Sequence, residues 1–216
     1  MFETVILISR PALTLYEFNT LFALVSHEKQ QKIMQFKFMR DAQNCLLGDI
    51  LTRVEICRIT GLGNKQLEFS SNSYGKPFLV SNPYINFNIS HSGCYIACVL
   101  SDQPVGVDIE VIKPIDFKIA EKYFAPDETA YMMENNPTFR FYEIWTKKES
   151  RIKWEGKGLY QPLNTFSVIG PHKQGQIYYH KIFENDDAVS HVCSSNPRAP
   201  AVKIIDTESL LKNMSL

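Results

Sequence analysis

The same succession of signals runs through this chain twice, about 100 residues apart, and a period of that size marks a duplicated domain rather than a solenoid. In the first pass Ser26-His27-Glu28 opens a helix and Phe36-Lys37-Phe38 follows. A longer helix then runs through Leu51, Gly61-Leu62 comes next, and strands such as Ile85–Ser90 close the pass. In the second pass Pro126-Asp127-Glu128 opens a helix, Phe139-Arg140-Phe141 follows, a longer helix runs through Lys153 to Gly158-Leu159, and Thr165–Ile169 reads as a strand. No low-complexity linker separates the passes, and Ser101-Asp102-Gln103-Pro104 is the best turn signal between them. The expectation is one compact body of two similar α+β halves, residues 1–104 and 105–216.

Apolar, β-branched and aromatic runs bounded by turn residues predict strands at Thr4–Ile8, Ile85–Ile89, Cys94–Leu100, Gly106–Glu110, Phe166–Ile169, Gln176–Ile182 and Ala188–Cys193. Helices are expected over Ser26–Phe36, Arg40–Cys57, Asp116–Phe124, Asp127–Glu134 and Thr138–Glu155. Pro83, Pro104, Pro114, Pro126, Pro137 and Pro162 fall outside these segments, as a residue without an amide proton should. The tail Thr207–Leu216 fits a short helix or a frayed end.

Two segments carry chemistry. Along Val105-Gly106-Val107-Asp108-Ile109-Glu110-Val111, strand alternation sends Val107, Ile109 and Val111 to one face and Asp108 and Glu110 to the other. Adjacent carboxylates repel unless a cation or proton lies between them, and hard oxygen ligands with lysines nearby suit Mg²⁺ and a polyphosphate. A solvent-facing strand edge would show the same alternation. About 40 residues later comes Trp145-Thr146-Lys147-Lys148-Glu149-Ser150-Arg151-Ile152-Lys153. Phe141, Trp145, Lys148 and Ile152 share one helical stripe, so Lys148 must snorkel to water or reach an anionic group. Glu149 and Lys153 lie one turn apart, which also fits a plain i,i+4 salt bridge worth about 0.3–0.5 kcal/mol.

Composition narrows the setting. The 216 residues are 44% hydrophobic, enough for one substantial core or two small ones. Twenty-three basic and 23 acidic residues leave zero net charge, so no broad basic field exists for nucleic acid, and none is expected as partner. Val5–Ile8 is too short for a membrane span and lacks a basic leader, so no membrane association is expected. Five cysteines, an odd number without C-x-x-C spacing, imply free thiols and a cytoplasmic location.

In order and separation, these segments resemble the signature of the Sfp-type 4′-phosphopantetheinyl transferases, two-halved enzymes that modify peptidyl and acyl carrier proteins. The resemblance extends to Ser26–Lys32, to Leu46-Leu47-Gly48-Asp49 with Arg53, to Tyr74-Gly75-Lys76-Pro77 and to Phe87-Asn88-Ile89-Ser90-His91-Ser92, and covers about Val25 to Ser167. It implies the α+β phosphopantetheinyl transferase fold, two pseudo-symmetric halves with the active site at their interface, acting as a monomer. The implied reaction moves the phosphopantetheine arm of coenzyme A to a serine of an apo carrier protein, with Mg²⁺, and releases 3′,5′-ADP. The resemblance assigns Asp108, Glu110 and Glu149 to the metal, Glu149 to the general base and Lys153 to phosphate stabilisation. It assigns Lys29, Lys32, Lys76, Pro77, Ser90 and His91 to coenzyme A. Lys29 and Lys32 also fit an ordinary solvated helix face. Where many relatives carry a basic residue before Leu-Leu-Gly this chain has Asn44-Cys45, so a contact to the 3′-phosphate is expected to be missing unless Arg40 or Arg53 replaces it. Phe117–Phe124, with apolar anchors and two lysines, is a candidate carrier-docking helix or an ordinary amphipathic one. Two rival functions, a metal-dependent nucleotide or coenzyme A phosphohydrolase and a non-catalytic carrier- or nucleotide-binding module, would share part of this residue set.

Overall fold

The computed structural model describes residues 1–170 and 177–214. The first part forms β1 (Phe2–Ile8), α1 (Leu15–Phe22), α2 (His27–Met34), α3 (Met39–Thr60), β2 (Phe69–Ser71), β3 (Pro77–Leu79), β4 (Asn86–Ser92) and β5 (Tyr95–Ser101). The second forms β6 (Val105–Val111), α4 (Lys118–Tyr123), α5 (Pro126–Glu134), α6 (Pro137–Glu155), β7 (Tyr178–Glu184), β8 (Ala188–Ser194), β9 (Ala201–Asp206) and α7 (Thr207–Lys212).

Each half is a long helix on an antiparallel core, as the internal repeat implies. In the first sheet, ordered β4-β5-β1-β9, alternation gives each strand two working faces. Val5, Leu7, Ile96, Cys98 and Leu100 pack with Leu46, Leu47, Ile50 and Leu51 of α3. Ile6, Tyr95, Ala97 and Val99 point the other way and meet Val105, Val107, Ile109 and Val192 of the second sheet, ordered β6-β8-β7. A third cluster, built on Phe124, Phe141, Ile144 and Ile152, holds α4, α5 and α6 together. Burying side chains of this size contributes about 1.5–3 kcal/mol each, so the two sheets are joined by a core rather than by a linker.

The predicted elements appear with shifted ends, and the shifts have causes. Ser26 is the cap of α2 rather than its first residue, its hydroxyl accepting from Lys29 N at 3.3 Å. Pro126 and Pro137 begin α5 and α6 instead of lying outside them, because the first helical turn needs no amide proton. Phe166–Ile169 is not a strand. Lys148 Nζ donates to Phe166 O at 2.7 Å and Glu128 Oε1 accepts from Val168 N at 2.8 Å, so side chains take the backbone bonds a ladder would have used. The predicted Gln176–Ile182 strand runs from Tyr178 to Glu184, and Gln176 lies outside the described residues. Helix α1, the β2–β3 hairpin and β9 were not expected. β9 pairs in parallel with β1 and Leu210 of α7 is buried in the first core, so this C-terminal segment packs on the first half although it follows the second in sequence.

Candidate active site

The site grows from one close approach. An ideal Cβ on Gly106 would lie 2.1 Å from Ser150 O and 2.3 Å from Trp154 N, so α6 rests directly on the backbone of β6. Any side chain there would lift the helix. Two and four residues along β6, Asp108 and Glu110 share the face of Gly106. On α6, Glu149 and Lys153 flank the contact. Lys153 Nζ reaches Asp108 Oδ1 at 2.6 Å rather than pairing with Glu149, so the i,i+4 salt bridge is not what this helix makes.

A second strand completes the surround. Asn88, Ser90 and Ser92 alternate along β4, and all three bond to β6: Asn88 Oδ1 accepts from Val107 N at 2.9 Å, while Ser90 Oγ donates to Asp108 Oδ1 and Ser92 Oγ to Glu110 Oε2, both at 2.7 Å. Ser90 Oγ also accepts from Lys153 Nζ at 2.9 Å. Two edge strands of different sheets are thus held together by side chains rather than by a backbone ladder.

The three acidic groups share one electrostatic neighbourhood. Burial first, then the charge of Asp108, pushes the Glu110 carboxyl up to about 7, with Ser92 and Lys153 opposing and Glu149 adding to the rise. Glu149 is raised by the same two causes and opposed by Lys153. Among the described residues Glu149 makes no hydrogen bond or ion pair. Asp108 is 3% exposed, and its Oδ2 is buried with no hydrogen-bond partner. As placed, no three His, Cys, Asp or Glu side chains among the described residues stand together closely enough to hold a metal ion, since Asp108 turns to Lys153 and Glu110 to Ser92. Negative charge in excess of its one lysine, an orphaned carboxylate oxygen and an all-oxygen donor set fit a hard divalent cation.

On the other face of β4, where Phe87 and Ile89 point, lies a cleft of about 480 Å³ between α2, α3, the β2–β3 hairpin and β4, lined by Lys29, Lys32, Arg53, Lys65, Phe69, Pro77 and Ile89 among others. Lys29 Nζ stands 3.2 Å from Asp49 Oδ1, and Lys32 is exposed. His91 points away from Ser90 and Ser92. Partial enclosure, then the charge of Lys153, hold its imidazole below the usual value, with a smaller push from Lys32. A mixed basic and aromatic cleft suits a nucleotide phosphate ester.

Other expected residues sit elsewhere. Lys76 Nζ donates to Val105 O at 3.0 Å and Trp154 O at 3.4 Å, and burial pulls its ammonium down to about 8, so this side chain ties the hairpin turn to the end of α6. Asn72 Nδ2 adds a bond to Gly156 O at 2.8 Å. Asn44 is buried, bonded to Ser9 Oγ and Gly93 O. Neither arginine named as its replacement is idle: Arg40 Nη1 donates to Arg10 O and Pro11 O at 2.7 and 2.8 Å, and Arg53 Nε pairs with Asp49 Oδ2 at 2.6 Å. Lys148 neither snorkels nor faces the site. It is fully buried on Glu128 Oε2 at 2.7 Å, with Leu163 O and Phe166 O as further acceptors. Ala120 of α4 and Phe124 just after it belong to the core, and Ile119 is 37% exposed. Ser92, Asn88, Gly106 and Asn72 were not singled out from sequence. The alternating Asn88-x-Ser90-x-Ser92, which mirrors the spacing of Asp108 and Glu110, was the available signal for the first two.

Comparison with known proteins gives the family. A family described as "4′-phosphopantetheinyl transferase, N-terminal" matches residues 12–103, and "4′-phosphopantetheinyl transferase superfamily" matches residues 104–203. The chain is 38% identical over 204 residues to 4′-phosphopantetheinyl transferase Sfp of Bacillus subtilis (strain 168), covering 88% of this chain and 91% of that protein. It is 42% identical over 164 residues to 4′-phosphopantetheinyl transferase gsp of Aneurinibacillus migulanus (74% and 68%), and 37% identical over 210 residues to 4′-phosphopantetheinyl transferase ffp of Bacillus subtilis (90% and 93%). With both halves matched in order, and with relatives this similar along most of its length, the chain belongs to the Sfp-type 4′-phosphopantetheinyl transferases.

Proposed function

We propose that this enzyme transfers the 4′-phosphopantetheine arm of coenzyme A to a serine of apo acyl or peptidyl carrier proteins, with Mg²⁺ held by Asp108, Glu110 and Glu149. The observation that carries this reading is the grouping of those carboxylates and Lys153 where β6 and α6 meet β4, with an orphaned Asp108 oxygen. When bound, Mg²⁺ supplies charge neutralisation for the diphosphate.

The chain's own residues do the rest. Lys29 and Lys32 on the cleft wall attract the nucleotide phosphates as point charges, and Pro77 shapes the opposite wall. Lys76 contributes through the turn it anchors. Ser90 holds Asp108, and His91, on the opposite face of β4, is available to the coenzyme A phosphates. Glu149, raised in pKa and unpaired among the described residues, accepts the proton of the carrier serine hydroxyl. The serine oxygen then forms a bond to the β-phosphorus of coenzyme A as the diphosphate P–O bond breaks and 3′,5′-ADP departs. Lys153 lies close enough to Asp108 to steady the charge that accumulates on the phosphate oxygens. The partners are coenzyme A and the carrier domain. Among the described residues no helix is long and apolar enough to cross a membrane, and all five cysteines are free thiols.

The test is incubation with coenzyme A, Mg²⁺ and a panel of apo carriers, each then weighed intact. A gain of one phosphopantetheine on at least one carrier, lost in EDTA, is expected. Coenzyme A turnover without any acceptor would favour a hydrolase, and binding of coenzyme A with no transfer to any carrier would leave a binding module.

A further inference from the structure

Two hydroxyls spaced two residues apart on β4 meet two carboxylates spaced two apart on β6, yet the two pairs differ. Ser90 shares its carboxylate with Lys153. Ser92 does not. Its Oγ donates to Glu110 Oε2 at 2.7 Å and accepts from Val111 N at 3.1 Å. A serine hydroxyl has one proton and two lone pairs, so an amide proton directed at the oxygen turns the hydroxyl proton toward its other neighbour, the carboxylate. Val111 is also the residue after Glu110. One hydroxyl therefore grips both the backbone and the side chain of the same short stretch, and Glu110 Oε1 is left without a protein hydrogen bond among the described residues. The 2.7 Å separation is that of a well-formed hydroxyl hydrogen bond.

We propose that Ser92 is a positioning residue for Glu110, fixing the carboxylate so that its second oxygen is presented to the divalent cation. This rests on the reading of Asp108, Glu110 and Glu149 as its ligands. Groups that orient a metal ligand from behind are typically worth about 10–100-fold in metal affinity, because without them the ligand must be ordered at the moment of binding. Ser92 is distinct from the residues that touch substrate, and its effect falls on the metal before it falls on the reaction.

The experiment titrates Mn²⁺ against the protein without coenzyme A or carrier, followed by electron paramagnetic resonance, in the wild type, Ser92→Ala, Ser92→Thr and Glu110→Gln. Thermal melts in EDTA confirm that each variant is folded. Expected are binding about 10-fold weaker for Ser92→Ala, affinity within about threefold of wild type for Ser92→Thr, which keeps the hydroxyl, and a loss at least as large for Glu110→Gln. Folded Ser92→Ala that binds Mn²⁺ like the wild type overturns the role of Ser92 and leaves the metal reading standing. Binding indifferent to Glu110→Gln overturns the metal reading and this proposal with it. Should Ser92→Ala not fold, Ser92→Cys, similar in size but a poor donor, carries the comparison: weakened binding supports the proposal and unchanged binding overturns it.

Discussion

Lys148 and Glu149 are neighbours in sequence with opposite fates. The helical stripe of Phe141, Trp145 and Ile152 turns Lys148 into the core, where Glu128 neutralises it, while Glu149 lies one step round the helix and faces the seam. A carboxylate that serves as base and ligand loses both roles as an amide. Glu149→Gln is expected to reduce carrier modification at least 100-fold, with the melting temperature in EDTA unchanged or higher; near wild-type labelling by mass spectrometry would remove it from the chemistry. Glu110 makes a prediction about pH. Its folded value of about 7 lies above the ordinary carboxylate value, so between about 4.5 and 7 the unfolded chain has released a proton that the folded one retains, and stability falls as pH rises through that window. Without divalent cation, urea unfolding at pH 5 and pH 7.5 is expected to show a decrease on the order of 1–3 kcal/mol that Glu110→Gln removes. The buried His191, held well below its usual value chiefly by burial, works in the opposite sense, losing stability as pH falls, so the comparison must be wild type against variant. The shared face of Asp108 and Glu110 was legible because strand alternation is a local rule. The position of Lys76 was not, since its acceptors are carbonyls 29 and 78 residues away.

At the scale of elements, the long helices and central strands were readable because each carries a full periodic pattern. The failures were short or edge elements. Thr14-x-x-Glu17 is a complete capping box, with Glu17 N donating to Thr14 Oγ1 at 3.2 Å, and it marks α1 in sequence for a reader who looks for caps as well as periodicity. β2, β3 and β9 are short, largely exposed edge segments in which Leu79 of β3 is the one buried residue, too little to make a readable face. The most consequential contact between elements, Gly106 beneath α6, looks in sequence like one glycine in a strand. Gly106→Ala is expected to destabilise the protein by about 1–3 kcal/mol, since backbone atoms rather than flexible side chains occupy the added volume. Activity should fall further than stability alone explains, by 10-fold or more in kcat at saturating coenzyme A, because lifting α6 moves Glu149 and Lys153 away from β6. A folded Gly106→Ala with unchanged kcat would show that the helix tolerates the displacement.

The whole molecule joins its halves in three ways. Ile6, Ala97 and Val99 of the first sheet share a core with Val105, Val107 and Ile109 of the second. The β4–β6 side-chain seam and the Asn72 and Lys76 bonds to the end of α6 bridge them again. Finally, β9 and α7 return to the first sheet, burying Leu210. This last link was the least visible in sequence, because a duplicated pattern suggests two self-contained units and says nothing of a segment that crosses between them. Its thermodynamic consequence is a single unfolding unit: neither half can lose its core without exposing apolar surface on the other. Both tryptophans, Trp145 and Trp154, lie in α6 of the second half, so their fluorescence reports that half alone, whereas far-ultraviolet circular dichroism reports the helices and strands of both. The two probes are expected to give coincident midpoints in urea. Removing residues 201–216 should shift both midpoints down together, although both tryptophans lie in α6 and not in the removed segment. A fluorescence transition that stays in place while the dichroism midpoint falls would mean that the second half folds by itself, and that the active-site seam can be disassembled without unfolding either side.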